Sequence, residues 1–266
     1  MCKIFKDIAG EFMSAELSTQ PISTEPVSAK SVSPKPIIQS IKIIKKYRMG
    51  SQIVSVLNGI NVNVYPGEIV SILGTSGCGK TTFLNIAAGL ERPTNGEIII
   101  DGYNLNKISE KRMAAFRRKY IGFVFQLYNL IPSMNALENV ILPMIFEGTS
   151  VKEREEKGRE LLKIMGLEDR LKHKPNEMSG GQRQRISLAR AMINNPRIIF
   201  ADEPTGNLDS RTTEEILDLL ITTAKENKQT LLMVTHDIEV AKHGDRIIEM
   251  ADGSIISERH NRDWAP

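Results

Sequence analysis

The stretch GTSGCGKTT, residues 74–82, sets Gly74, Gly79, Lys80 and Thr81 in the spacing G-x-x-x-x-G-K-T. Glycines at those places let the backbone wrap closely around an anion, with its N–H groups turned inward. The lysine can neutralise the β- and γ-phosphates of a nucleotide, and the hydroxyl after it can ligate Mg²⁺. Thr75, Ser76, Gly77 and Cys78 complete the loop and Thr82 leaves it, so the nine residues together are the candidate phosphate contacts. Such a loop needs a strand ending at its first glycine and a helix starting at its end, whose N-terminal dipole then faces the anion. IVSIL (69–73) is an apolar run of strand length, and Thr81 to Leu90 reads as a helix that stops near Gly89.

A second chemical cluster lies in RIIFADEP, residues 197–204. Asp202 ends an apolar strand where a carboxylate can stand on the metal side of a phosphate site. Glu203 follows directly and is the candidate general base. Strict strand alternation would point the two side chains apart, so the backbone is expected to turn at the strand end. Alone, the pair is an acidic turn closed by Pro204; beside a phosphate loop it is a catalytic pair. His236 ends the next apolar run, LLMVTHD, and can there bond a γ-phosphate or hold a water. His173, His243 and His260 have no comparable placement.

MSGGQRQRISLARAM, residues 178–192, offers a second anion-binding helix start, this time without a lysine. Ser179 is a good N-cap, and Gly180 and Gly181 admit a phosphate close to the backbone. Ile186, Leu188, Ala189 and Met192 fit a helix packed on one side. One nucleotide has one γ-phosphate, and Lys80 already serves one flank of it. The economical reading places Ser179 on the other flank of a nucleotide bound to another subunit. Arg183, Arg185 and Arg190 are expected mainly to face solvent or pair with acids. On its own the motif is only a helix cap.

The elements that must position these groups alternate. IIQSIKIIKKY and INVNV read as strands, then IVSIL, IGFVF (121–125), IIFAD (198–202), TLLMVTHD (230–237) and RIIEM (246–250). Helical patterns fill most of 136–178 and all of 212–227. The alternation predicts an α/β fold with a largely parallel core sheet. Residues 14–36, rich in Ser, Pro and Thr, read as a disordered tail. No run approaches the roughly 18–20 apolar residues of a membrane helix. The charged residues of MCKIFKDIAGEFM speak against a secretory leader. A net charge of +3 is too small to argue for nucleic acid. Two cysteines, Cys2 and Cys78, provide no disulfide framework, so a reducing compartment is expected.

Taken in order, these motifs resemble the ATP-binding subunit of an ABC transporter over roughly residues 38–256. GTSGCGKTT looks like the Walker A loop, IIFADEP the Walker B strand, SGGQRQR the signature, NLD (207–209) the D-loop and His236 the H-loop switch. The resemblance puts Tyr47 where the family stacks an aromatic on adenine. It makes Gln126 the Q-loop glutamine that contacts Mg²⁺ and water and senses the membrane partner. It adds Gln182 and Asp209 to the nucleotide-facing set, and makes Thr81, Gln126 and Asp202 the Mg²⁺ side. Glu203, His236, Gln126 and Lys80 become the catalytic set. The implied architecture is a P-loop NTPase (RecA-like) core with an N-terminal antiparallel β subdomain and an inserted α-helical subdomain at about 127–185. The ATPase domain would run over 37–266, after a tail at 1–36.

The resemblance further implies two such subunits, identical or not, sandwiching two ATPs head to tail. A separate integral membrane permease would dock on the helical lobe around 127–165, on the cytoplasmic face of a membrane. FQLYNLIPSMNALENVILPM and ADEPTGNLDS look like the branch of lipoprotein-release, macrolide-export and cell-division ATPases. Two departures touch no chemical position: Met178 stands for the usual Leu before the signature serine, and GNLD for Ser-Ala-Leu-Asp. The competing function is a soluble ABC ATPase acting on nucleic acid, translation or cluster assembly. The chain has neither the long coiled-coil insertion nor the second cassette of such proteins, and no nucleic-acid partner is expected. The transported substrate would be set by the membrane subunit.

Overall fold

A computed structural model describes residues 35–261; most of the expected tail, residues 1–34, lies outside the described residues. Four strands make an antiparallel sheet: β1 (Ile38–Met49), β2 (Gln52–Val64), β4 (Asn95–Ile100) and β5 (Tyr103–Asn104), in the order β2-β1-β4-β5. Six make the second sheet: β3 (Ile69–Gly74), β6 (Ile121–Val124), β7 (Ile198–Asp202), β8 (Thr230–Thr235), β9 (Arg246–Ala251) and β10 (Ser254–His260). Their order is β10-β9-β3-β8-β7-β6, parallel except for the β9–β10 hairpin. The chain is therefore α/β with a P-loop NTPase core and an antiparallel sheet beside it.

Seven α-helices are joined to these sheets among the described residues: α1 (Lys80–Ala87), α2 (Glu110–Tyr120), α3 (Ala136–Glu147), α4 (Val151–Ile164), α5 (Gly180–Met192), α6 (Ser210–Glu226) and α7 (Ile238–Ala241). β8 is buried along its whole length, as expected of a parallel strand covered on both faces. Strand alternation then sorts the side chains of β7 and β8 into two cores. Ile198, Phe200, Leu232 and Val234 pack with α1 and the antiparallel sheet. Ile199, Ala201, Leu231 and Met233 pack with α3, α5 and α6.

Several boundaries differ from the sequence expectations. α1 ends at Ala87, two residues before Gly89, whose φ of +64° breaks the helix. α6 begins at Ser210, because the Asp209 carboxylate caps it by accepting from Thr212 N at 3.0 Å. β8 stops at Thr235, so His236 lies just beyond the strand rather than in it. β4, β5, α2, α7 and β10 were not anticipated. α3 runs through Pro143; it opens with a reciprocal Asn135–Glu138 capping box and closes at Gly148, φ +82°.

Candidate functional site

β3, β8, β7 and β6 are neighbours in the sheet and run parallel, so their carboxyl ends open on one edge. That edge is where open parallel sheets place ligands. After β3 comes the glycine loop; Asp202 ends β7 and Glu203 follows it; after β8 comes His236, and after β6, Gln126.

The glycine loop leaves Thr75, Ser76 and Gly77 exposed while Cys78, Gly79 and Lys80 are buried. Gly79 is required for two reasons: its φ is +106°, and a Cβ would come within 2.9 Å of Val56 O and of the Leu57 side chain. Lys80 Nζ donates to Gly74 O at 2.8 Å and Thr75 O at 3.0 Å, and lies 4.0 Å from Glu203. The ammonium thus folds under its own loop, in reach of any anion above it.

At the end of β7 the backbone turns as the chemistry demands: Glu203 has φ +41°. That left-handed residue sends the two acids to different partners. Asp202 Oδ1 accepts from the Thr81 hydroxyl at 2.9 Å. Glu203 Oε2 accepts from Gln126 Nε2 at 3.0 Å, and His236 Nδ1 lies 3.2 Å from Glu203 Oε1. Three side chains from three other segments thus converge on one carboxylate. A carboxylate fixed from several sides is suited to receive a proton from a water held in one place.

Burial lifts the Asp202 carboxyl above its ordinary value; the Thr81 hydrogen bond opposes this, the Glu203 charge adds to it, and Lys80 opposes it again. Such a group stabilises the fold fully below its unfolded pKa and loses that contribution as pH rises, so at neutral pH its charged form is a burden. Asp202→Asn is expected to raise the melting temperature of the nucleotide-free protein at pH 7. The gain should shrink as pH falls toward the ordinary carboxylate range. A variant that melts no higher than the parent at pH 7 would contradict this. An under-neutralised carboxylate, a hydroxyl and the amide oxygen of Gln126 are hard oxygen donors of the kind Mg²⁺ takes. Among the described residues no group of three or more His, Cys, Asp or Glu could hold a metal. A cation here would complete its shell from phosphate and water.

Ser179 and Gln182 are occupied with each other. Ser179 Oγ accepts from Gln182 N at 3.3 Å, and Gln182 Oε1 accepts from Ser179 N at 3.0 Å, a capping box at the start of α5. Ser179 is exposed. Gly180 and Gly181 lie against Tyr128, Leu208 and Thr212. Among the described residues no hydrogen bond or ion pair joins Ser179–Gln182 to the loop Gly74–Thr82. Asp209 spends both carboxylate oxygens on Thr212, as the α6 cap. Those bonds to Thr212 hold its carboxyl below the usual range.

The arginines after the signature serve the fold. Arg183 lies over the Tyr128 ring, Arg185 pairs with Glu215, and Arg190 donates to the carbonyls of Tyr128 and Asn129. Gln184, on the same helix, is a residue that sequence reasoning missed. Fully buried, it donates to Pro204 O at 2.6 Å, tying α5 to the turn that carries Glu203. Its only signal was a polar residue at a position the helical period assigns to the core. Tyr47, near the end of β1, is half-buried and donates from its hydroxyl to Glu91.

The ABC transporter family model matches residues 57–206. The chain is 48% identical over 230 residues to the ABC transporter ATP-binding protein MJ0796 of Methanocaldococcus jannaschii, covering 85% of this chain and 98% of that one. It is 45% identical over 220 residues to the ABC transporter ATP-binding protein YknY of Bacillus subtilis, covering 83% and 95%. It is also 45% identical over 228 residues to the macrolide export ATP-binding/permease protein MacB of Brucella abortus, covering 86% of this chain but 35% of MacB. The dimeric structure of the MJ0796 cassette in a post-hydrolysis state, bound to ADP and Pi, superposes with a TM-score of 0.80 at 46% identity. That match covers 85% of this chain and 100% of the other.

Proposed function

This chain belongs to the ABC transporter family as an ATP-binding, ATP-hydrolysing subunit, and from that premise we propose that it drives a separate membrane permease through a nucleotide-closed pair of cassettes. The observation that carries the reading is the convergence of Lys80, Gln126 and His236 on Glu203, beside the Thr81–Asp202 pair. In this reading the loop Gly74–Thr82 binds the phosphates through backbone N–H groups, and Lys80 turns from its own carbonyls to the β- and γ-phosphates. Thr81, Asp202 and Gln126 hold Mg²⁺, which when bound neutralises charge on the phosphate oxygens. Glu203 takes a proton from the attacking water, which Gln126 and His236 orient. Tyr47 stacks on the adenine.

Ser179, with Gly180, Gly181 and Gln182, caps the nucleotide held by the facing subunit. Two things support that placement: Ser179 is exposed and, among the described residues, the motif makes no hydrogen bond or ion pair to its own chain's loop, and the similar MJ0796 cassette is dimeric with ADP and Pi. Asp209 contributes indirectly, by capping the helix beside the signature glycines. ATP touching both subunits favours the closed pair, and hydrolysis removes that preference.

Among the described residues no helix is long and apolar enough to cross a membrane. The MacB relatives carry ATP-binding and permease parts in one protein, of which this chain spans about a third. We infer a permease docked on the helical lobe at the cytoplasmic face, where Leu127, Phe146 and Ile164 are exposed by 72%, 66% and 61%. A lipid, lipoprotein or peptide-like substrate, exported or moved by force transmitted across the membrane, is the task this branch resemblance favours. The full chain, tagged and purified from detergent-solubilised native membranes, is expected to bring an integral membrane protein with it at near-equal stoichiometry. Recovery of the cassette alone would overturn the transport reading.

A further inference from the structure

The Tyr47 hydroxyl donates to Glu91, and both carboxylate oxygens lie 2.8 Å from it. Lys45, two residues earlier on β1 and so on the same face, puts Nζ 2.7 Å from Glu91 Oε1. The same ammonium sits 4.9 Å from the centre of the Tyr47 ring and donates to Arg92 O at 2.8 Å. One ring face is therefore covered by Lys45, and the far end of the ring is bonded. A ring so held offers its other face for stacking.

Glu91 lies just beyond the C-terminal end of α1, where its N–H donates to Asn85 O at 3.2 Å. The opposite end of α1 carries Lys80, Thr81 and Thr82. Burial, then the bond to Glu91 and its charge, push the Tyr47 hydroxyl pKa up, which keeps it protonated and donating. The stacking ring is thus tied to the far end of the helix that begins in the phosphate loop.

We propose that Glu91 is a positioning residue for ATP: it fixes the Tyr47 ring, and with it the nucleotide base, at a set distance from the phosphate loop. The proposal rests on the reading of Tyr47 as the adenine platform. Glu91 touches neither phosphate nor water, so its loss affects binding of the base and not the chemical step. Lys45 pairs with the carboxylate and balances its charge.

The test compares two probes, ATP and inorganic tripolyphosphate, by titration calorimetry on the full chain, with ATPase rates alongside. Glu91→Ala is expected to weaken ATP about five- to tenfold, the scale of one ordinary net hydrogen bond. Tripolyphosphate affinity and kcat should stay within about twofold. Glu91→Gln keeps an acceptor for the tyrosine hydroxyl and should hold ATP affinity within about threefold of the parent. Tyr47→Phe should weaken ATP like Glu91→Ala, and the double variant no further, since both cut the same bond. Equal losses for ATP and tripolyphosphate would mark a merely structural role and overturn the proposal. So would unchanged ATP affinity in Glu91→Ala while Tyr47→Ala weakens ATP. If Tyr47→Ala leaves ATP affinity intact, the adenine platform itself is wrong, and the role of Glu91 falls with it.

Discussion

Glu203→Gln is expected to lower ATP turnover by about 10²–10⁴-fold, the usual contribution of a general base, and to leave the ATP-bound chain as a dimer on gel filtration. The physical case rests on shape against charge. A glutamine fills the same space and keeps an oxygen for the Gln126 amide, 3.0 Å away in the parent. It cannot take a proton from water. It also removes a negative charge beside the phosphate site and leaves Lys80, which sits 4.0 Å from Glu203, free to serve the γ-phosphate. ATP should bind at least as well as to the parent, and the closed pair should persist because the step that opens it is blocked. Turnover within tenfold of the parent would move the base elsewhere. A variant that binds ATP without turnover yet elutes as a monomer would remove the two-subunit site.

Mixing two inactive variants is expected to restore activity. Lys80→Ala destroys the phosphate-loop half of a site, and Ser179→Arg destroys the signature half. Each variant alone has only damaged sites in a head-to-tail pair. In a mixed pair, one site combines the intact loop of one subunit with the intact signature of the other. With random pairing half the dimers are mixed, and each has one sound site of two, so about a quarter of the parental rate should return. If both groups served a site inside one chain, the mixture would stay as inactive as its parts. The exposed capping box at Ser179 makes the arginine tolerable for folding, since the box lies at a helix start on the surface. Losing the Ser179 cap costs about 1 kcal/mol, so melting temperatures within several degrees of the parent check that point.

The core strands of the sheet were legible because parallel strands buried on both faces read as unbroken apolar runs, as IIFAD and TLLMV do. What escaped had weaker local signal. α2 reads EKRMAAFRRKY, six charges in eleven residues, and buries only Met113 and Phe116. Two buried positions three apart are too few for a helical period to stand out. β4 follows a turn-rich stretch, and only Ile98 and Ile100 of it are buried. It becomes a strand by pairing with β1, sixty residues away in sequence, as in Ile38 against Ile100. The same non-local pairing hid the Glu91 link. Nothing near LERPTN in the sequence points to Tyr47; only β1 brings the two together.

By itself the sequence determined the chemistry of the phosphate loop, because binding a phosphate with backbone N–H groups needs particular residue types within nine consecutive positions. The acid pair at the end of β7 and the capped glycines after Met178 were readable because local neighbours set their conformation: the left-handed turn at Glu203 and the Ser179–Gln182 capping box. Only the tertiary structure decided which groups meet. Parallel register aligns the ends of β3, β8, β7 and β6, and that alignment, not any local spacing, brings Lys80, Gln126 and His236 to Glu203. Among the described residues it leaves Ser179 with no hydrogen bond to the loop Gly74–Thr82. A helix start is fixed by local bonds, but its partner across a gap is fixed by how sheets and helices pack.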